Sequence, residues 1–189
     1  MTPARSRRLR ALVAGGVALA LALAGLSVVL LGRHWLEDWN DELDRRWAPL
    51  RTALDVRYQK LEAFEERYRD VYGEDRPWTP RIERLLRRWD RLSGQRDIAQ
   101  EEEIDTANAL ELAARGLAVS TQASTARAPD DEVTAAMYAY ARSVVPAPEL
   151  RRFNRAADAY EATRDSVLGA PAAHLLAYYG RSRLGLTIL

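Results

Sequence analysis

The chain contains no cysteine. Disulfides, thiolate nucleophiles and Cys-based zinc sites are therefore excluded, and there is no Cys behind the apolar N-terminal run to make a lipoprotein. Histidine is almost as scarce. His34 and His174 are the only two, and without an H-E-x-x-H pattern they make no standard zinc site. Nor does either have Glu three residues before it, since positions 31 and 171 are Leu and Pro, so the Glu-x-x-His signature of a di-iron bundle is missing. With 10 Gly and 8 Pro in 189 residues, the chain is neither fibrous nor disordered by composition. It also lacks an excess of either charge: 28 basic and 27 acidic side chains leave a net charge of +1. Such a balance makes no field for nucleic acid, and no stacking aromatics are set among clustered bases, so no nucleic-acid partner is expected. Period-two alternation is absent, and with it any expectation of a sheet.

What is present first is a long uncharged run. From Ala11 to Gly32 there is no ionisable side chain, and these 22 residues as a helix reach roughly 33 Å, enough for a hydrocarbon core of about 30 Å. Arg5, Arg7, Arg8 and Arg10 precede it without an acid among them; Arg33, Glu37, Asp38, Asp41, Glu42 and Asp44 follow it. The basic bias places residues 1–10 in the cytoplasm and the remainder outside it, with Trp35 and Trp39 in an interfacial aromatic belt. Ala22-Leu23-Ala24 has the small-x-small form of a signal-peptide cleavage site. The apolar stretch continues past it through Leu26, Val28, Val29, Leu30 and Leu31, so 11–32 is expected to be an uncleaved transmembrane anchor in the inner (cytoplasmic) membrane.

Behind the anchor the chain reads as helix after helix. Trp39, Leu43, Trp47, Leu50, Leu54, Tyr58, Leu61, Phe64, Tyr68 and Val71 recur at steps of three and four, one apolar stripe over roughly nine turns with Arg, Asp and Glu opposite. Pro49 interrupts it and predicts a kink or a boundary between anchor helix and domain helix. The segment closes at Gly73–Pro77. Thr79-Pro80 supplies an N-cap and a first-turn proline for a second helix with Ile82, Leu85, Leu86, Trp89 and Leu92 inward, stopped at Ser93-Gly94. A third, from about Arg96 to Ser124, has the stripe Ile104, Ala107, Leu110 or Glu111, Ala114, Leu117 and Thr121. Asp130 or Asp131 caps a short helix with Met137, Tyr140 and Val144. Pro146-Ala147-Pro148 makes a rigid break, and a last long helix over about Glu149–Leu168 places Leu150, Phe153, Ala157, Tyr160 and Val167 inward and stops at Gly169. The expected fold is all-α: an N-terminal transmembrane helix followed by an antiparallel bundle of three to four long helices over residues 33–171, with an apolar C-terminal tail, 172–189, packed on the bundle or along a surface.

Two stretches carry a family resemblance. In Asn40–Phe64, NDELDRRWAPLRTALDVRYQKLEAF, Trp47 is followed eleven residues later by the Tyr of the Arg57-Tyr58 pair, with Leu43, Leu50, Leu61 and Phe64 in the matching apolar places. In Arg151–Gly180, Phe153-Asn154 is followed six residues after the Asn by Tyr160, and Pro171 leads to Leu175-Leu176-Ala177-Tyr178-Tyr179-Gly180. Together these resemble the LemA family of membrane-anchored helical-bundle proteins, directly over about a third of the chain. The chain departs from the family pattern in lacking the Pro-Asn after the first motif's Tyr and the Thr-Glu-rich segment before the last helix, and in placing Glu161 where a second Asn is usual. The resemblance implies an anchored extracytoplasmic bundle in which Trp47, Arg57, Tyr58, Asn154, Tyr160, Pro171 and Gly180 are motif residues of structural use; it implies no cofactor.

Chemistry is thin. Glu101-Glu102-Glu103 with Asp105 is the densest acid cluster, but successive helical residues point about 100° apart, so the carboxylates fan out as a solvated face. Asp130-Asp131-Glu132 suits a helix start. The aromatic stripe Trp47, Tyr58, Phe64 and Tyr68 reads as core, and Asn154 in mid-helix as a cross-helix bond that fixes register. Ser120, Ser124 and Ser166 have no His nearby, and no phosphate-binding Gly loop exists. No catalytic, cofactor-binding or metal residue is expected. The sequence thus points to a non-catalytic interaction or structural protein at the outer face of the cytoplasmic membrane, with membrane lipids and an unidentified protein, or a second copy, as partners. The alternative is an accessory, sensory ligand-binding bundle with aromatics and Arg holding a small molecule; an envelope hydrolase is the weakest reading.

Overall fold

The computed structural model describes residues 3–74, 78–93 and 100–185. The breaks expected at Pro77 and Gly94, the helix start near Arg96 and residues 186–189 lie outside them. Among the described residues there are six helices and no strand: α1 Pro3–Tyr72, α2 Trp78–Ser93, α3 Gln100–Thr125, α4 Asp131–Ala141, α5 Ala147–Arg164 and α6 Gly169–Leu175. The chain forms two compact units, Met1–Asp41 with Ala159–Gly180, and Glu42–Asp158 with Arg181–Leu189.

In the first unit, α1 is the one helix among the described residues long and apolar enough to cross a membrane. Its Val13, Val17, Leu19, Leu21, Leu23, Leu26, Leu30 and Leu31 are all exposed, while Gly32 and Leu36 are buried. Gly32 is buried because α6 packs there. A Cβ at that position would run into the Leu168 carbonyl and touch Ala172. Two expectations need correction. Gly169 does not stop α5, which ends at Arg164; it opens α6 instead, because its buried backbone lies against Thr163, where a side chain would not fit. Val167, expected inward, is 89% exposed, since the chain has already left α5.

In the second unit, Leu43, Trp47, Leu50, Leu54, Tyr58, Leu61, Phe64 and Tyr68 of α1 are all buried, as the three-and-four spacing requires. They face Ile82, Leu86, Trp89 and Leu92 of α2, Ile104, Ala107, Leu110, Ala114 and Leu117 of α3, Val133 and Tyr140 of α4, and Phe153 and Ala157 of α5. Val71 and Val144 are exposed, contrary to expectation: Val71 sits in the last turn of α1, and Val145, not Val144, enters the core after α4 ends. Pro49 does not interrupt α1. It is exposed on the outer side of the helix. Asp130 caps α4, its carboxylate accepting from Val133 N at 2.7 Å. Trp78 opens α2, one residue before the expected Thr79, and its indole covers Gly116 of α3.

The polar contacts give each helix its direction. Trp47 meets Glu103, Tyr68 meets Ser124 and Tyr72 meets Ala128, each pair 56 residues apart, so α1 and α3 rise together. Asp55 meets Trp89 while Arg51 meets the Leu92 carbonyl, so α2 descends past α1. Arg67 pairs with Glu132, Arg57 reaches Tyr140 and Ser143, and Trp47 packs at a tilt against Phe153. Along that series α4 and then α5 descend past α1, with the Pro146–Pro148 segment between them.

Candidate functional site

The second unit is organised around one buried guanidinium. Arg57 lies between Leu54 and Leu61 on the inward side of α1 and is only 6% exposed; Glu111, on the Ala107–Ala114 face of α3, is 1% exposed. Arg57 Nε donates to Glu111 Oε1 at 2.6 Å and Nη2 donates to Oε2 at 2.9 Å, a two-pronged pair. Nη2 also donates to the Tyr140 hydroxyl at 2.9 Å, and that hydroxyl donates onward to Glu111 Oε2 at 3.0 Å. Nη1 donates to the backbone oxygens of Ser143 at 2.6 Å and Tyr140 at 3.3 Å. All five N–H donors of the guanidinium are thereby used. Its two backbone acceptors lie at the C-terminal end of α4, where a cation suits the helix dipole. The Tyr140 ring lies beneath the guanidinium, 4.2 Å from Cζ to centroid, and stacks on Phe64.

Electrostatics follow from this burial. Loss of water works against the Arg57 charge, but the hydrogen bond and charge of Glu111, with the nearby Tyr140 phenol, outweigh it and hold its pKa above the usual range. Burial first, and the Glu111 charge second, push up both the Tyr58 and the Tyr140 phenol, so each remains a hydrogen-bond donor. Tyr58 donates to the Ala107 carbonyl at 3.2 Å and meets Trp89 edge-on at 5.0 Å. The adjacent motif residues Arg57 and Tyr58 therefore straddle α3, one toward α4 and the other toward α2.

A second cluster holds the lower part of α1. Trp47 Nε1 donates to Glu103, whose other oxygen pairs with Arg51 at 2.9 Å. Glu101 accepts from Ser182 N at 2.9 and 2.8 Å. The acid cluster does fan out, as helical geometry demands, but it is not merely a solvated face: Glu101 and Glu103 tie α3 to other segments, and exposed Glu102 meets Arg88 of α2 at 3.5 Å. Asn154 differs from expectation as well. Its bonds go to the C-terminal segment: its amide donates to the Leu184 carbonyl at 3.1 Å and its oxygen accepts Leu184 N at 3.0 Å. Asn108 of α3 treats the neighbours the same way, donating to the Arg183 carbonyl at 3.0 Å and accepting Gly185 N at 2.7 Å. In an extended segment alternate residues face opposite sides, so the two carboxamides read the segment from α5 and α3 as flanking strands would. Leu184 is buried between them and Arg183 pairs with Asp158. The tail is thus not one element, because Arg181–Gly185 docks on the second unit whereas 172–180 belongs to the first.

The remaining motif residues lie in the first unit. The Tyr160 hydroxyl donates to the Tyr179 carbonyl at 2.8 Å. Pro171 occupies the first turn of α6, where a missing N–H costs nothing. Gly180 lets the Arg164 guanidinium lie against the backbone. The seven motif residues do not converge on one site. Sequence reasoning passed over Glu103, Asn108 and Tyr140 as polar partners and left Glu111 undecided; the available signal was an acid inside an apolar stripe, matched by Arg57 inside another. A cleft of 220 Å³ between α1 and α2 is lined by Asp55, Tyr58, Gln59, Glu62, Leu86, Trp89 and Asp90, and Asp55 accepts from Trp89 Nε1 at 2.8 Å. No family model matches the chain, and no curated protein or solved structure matches it.

Removing one partner of a buried ion pair strands the other. Glu111→Ala is expected to lower unfolding stability by about 3–5 kcal/mol, and the double change Arg57→Met, Glu111→Leu to be less damaging than Glu111→Ala alone. Denaturant unfolding checks both; a loss below about 1 kcal/mol for Glu111→Ala contradicts the assignment. Glu65 gives a pH prediction. It is buried with Arg69 only 3.4 Å away as an ion-pair partner, and burial, partly offset by Arg69, raises its carboxyl above 4.5. The folded chain then holds its proton more tightly than the unfolded chain, so stability falls as pH climbs from 4.5 through the raised value. Glu65→Gln should stabilise at pH 7 and give no gain below about pH 4. A variant equally destabilised at both values, by the same unfolding measurement, would contradict this.

Proposed function

We propose that this chain is a membrane-anchored, non-catalytic scaffold, a divergent LemA-like protein whose helical bundle works at the outer face of the cytoplasmic membrane. The observation that carries the reading is the saturation of Arg57: its five donors are spent on Glu111, Tyr140 and Ser143, and the Trp47, Trp89 and Asn154 donors are likewise engaged within the fold. Trp47 and Arg57 thereby serve helix registration and Asn154 holds the C-terminal segment, which leaves recognition to the surface. An up-down-up-down bundle, with α4 and α5 sharing the fourth position, accounts for the contact series along α1. Leu112 and Val119, seven residues apart and both exposed, lie on one face of α3 and offer a protein partner or second copy an apolar strip. The apolar exposed stretch of α1 from Val13 to Leu31 supports the anchor, and the arginines before it support a cytoplasmic N-terminus.

A ligand-binding role is the second reading, and the α1–α2 cleft is what favours it. Arg57 has no donor left for a ligand, so the lining of Asp55, Glu62, Asp90, Tyr58 and Trp89 selects a small organic cation instead. At 220 Å³ the cleft is smaller than usual ligand sites of about 300–1,000 Å³.

Topology is the first test. A reporter that works only outside the cytoplasm, fused after Leu189, is expected to be active, and one that works only inside to be silent; the reverse result overturns the placement. Thermal unfolding with small amines distinguishes the two roles. An unchanged midpoint is expected, and a saturable rise would replace the scaffold reading with the ligand-binding one.

A further inference from the structure

The segment after α5 exposes apolar side chains at the end of the anchor. Val167 is 89% exposed, Tyr179 80%, Leu175 67% and Leu176 44%, although all belong to the compact unit built on α1. Their height along α1 is set by contacts. Leu168 and Ala172 lie against Gly32, the last residue of the uncharged run, and the Tyr178 hydroxyl meets Glu37 Oε1 at 3.4 Å. Five residues separate Gly32 from Glu37, a rise of about 7.5 Å along the helix. The polar zone on each side of a hydrocarbon core is about 5–8 Å deep. Residues 168–178 therefore occupy the height of that zone, beginning at its apolar boundary. Trp35, also exposed, stands at the same level on α1. Ala177 holds a left-handed backbone with φ 55°, which turns the chain after α6, so that Tyr178 faces α1 and Tyr179 faces away.

We propose that the 167–179 segment is a membrane-interface element whose Val167, Leu175, Leu176 and Tyr179 side chains enter the headgroup boundary of the bilayer that α1 crosses. The proposal rests on the reading of α1 as a bilayer span. Its occupant is lipid and not another protein, because the exposed side chains cluster at the one height where the anchor itself leaves the hydrocarbon. His174 on α6 is exposed at that level and suits lipid phosphates, as do Arg33 and His34 on α1, which also pair with Glu37 and Asp38 along the helix. The segment braces the anchor from the side, and Gly32 permits the close approach.

The cysteine-free chain makes the test direct. Leu21→Cys, Val167→Cys, Leu175→Cys, Tyr179→Cys and Val144→Cys, each at an exposed position, are spin-labelled singly in the full chain reconstituted into phosphatidylcholine–phosphatidylglycerol vesicles. Collision with lipid-soluble oxygen is compared with collision with a water-soluble nickel chelate. Labels at 167, 175 and 179 are expected to favour oxygen several-fold over the label at 144, with 21 deepest, 167 next and 179 shallowest. If 21 favours oxygen while 167, 175 and 179 match 144, the interface proposal fails and the anchor stands. Labels at 167, 175 and 179 shielded from both reagents would mean a protein cover and would also overturn it. A label at 21 open to nickel overturns the anchor reading and the proposal together.

Discussion

The second unit depends on the two-pronged bond between Arg57 and Glu111. Buried charges are costly unless every donor and acceptor is matched. Here the match involves three helices at once: α1 supplies the guanidinium, α3 the carboxylate, and α4 a phenol and the carbonyls at its end. Sliding α3 by one turn, about 5.4 Å, would strand both charges. It would also break Trp47 from Glu103 and Tyr68 from Ser124, which share one 56-residue offset. Apolar stripes alone do not forbid such a slide, because Ala and Leu surfaces tolerate several registers. The polar matches do.

The same principle operates at the C-terminus. An extended backbone laid on helices has no ladder of its own, and Asn108 and Asn154 supply one from opposite sides. This gives a physical reason for an Asn in the middle of α5, where helix propensity disfavours it. Arg183 with Asp158 and Ser182 with Glu101 add charge-assisted bonds within the same docked segment.

Helical content was legible in the sequence because apolar spacing reports it directly. The stripe from Leu43 to Tyr68 is buried position for position, and Asp130 caps the helix it was expected to cap. Partnerships were less legible. Nothing in local periodicity links Arg57 to a glutamate 54 residues away, and Glu103 reads like the glutamates beside it until α1 is laid against it. Boundaries failed where backbone fit overruled residue type. Gly169 starts a helix because Thr163 crowds it, and exposed Pro49 passes inside one. The motif residues were locatable but their roles were not: they divide between two units and hold backbone, tail and register.

Hydrogen exchange on the full chain in lipid nanodiscs, comparing the native sequence with Glu111→Gln, tests the central claim most directly. If the Arg57–Glu111–Tyr140 network sets the register of three helices, amides around Leu54–Leu61, Ala107–Ala114 and Tyr138–Ser143 lose protection together. Loss confined to the turn of α3 that carries residue 111, with α1 and α4 unchanged, would contradict it.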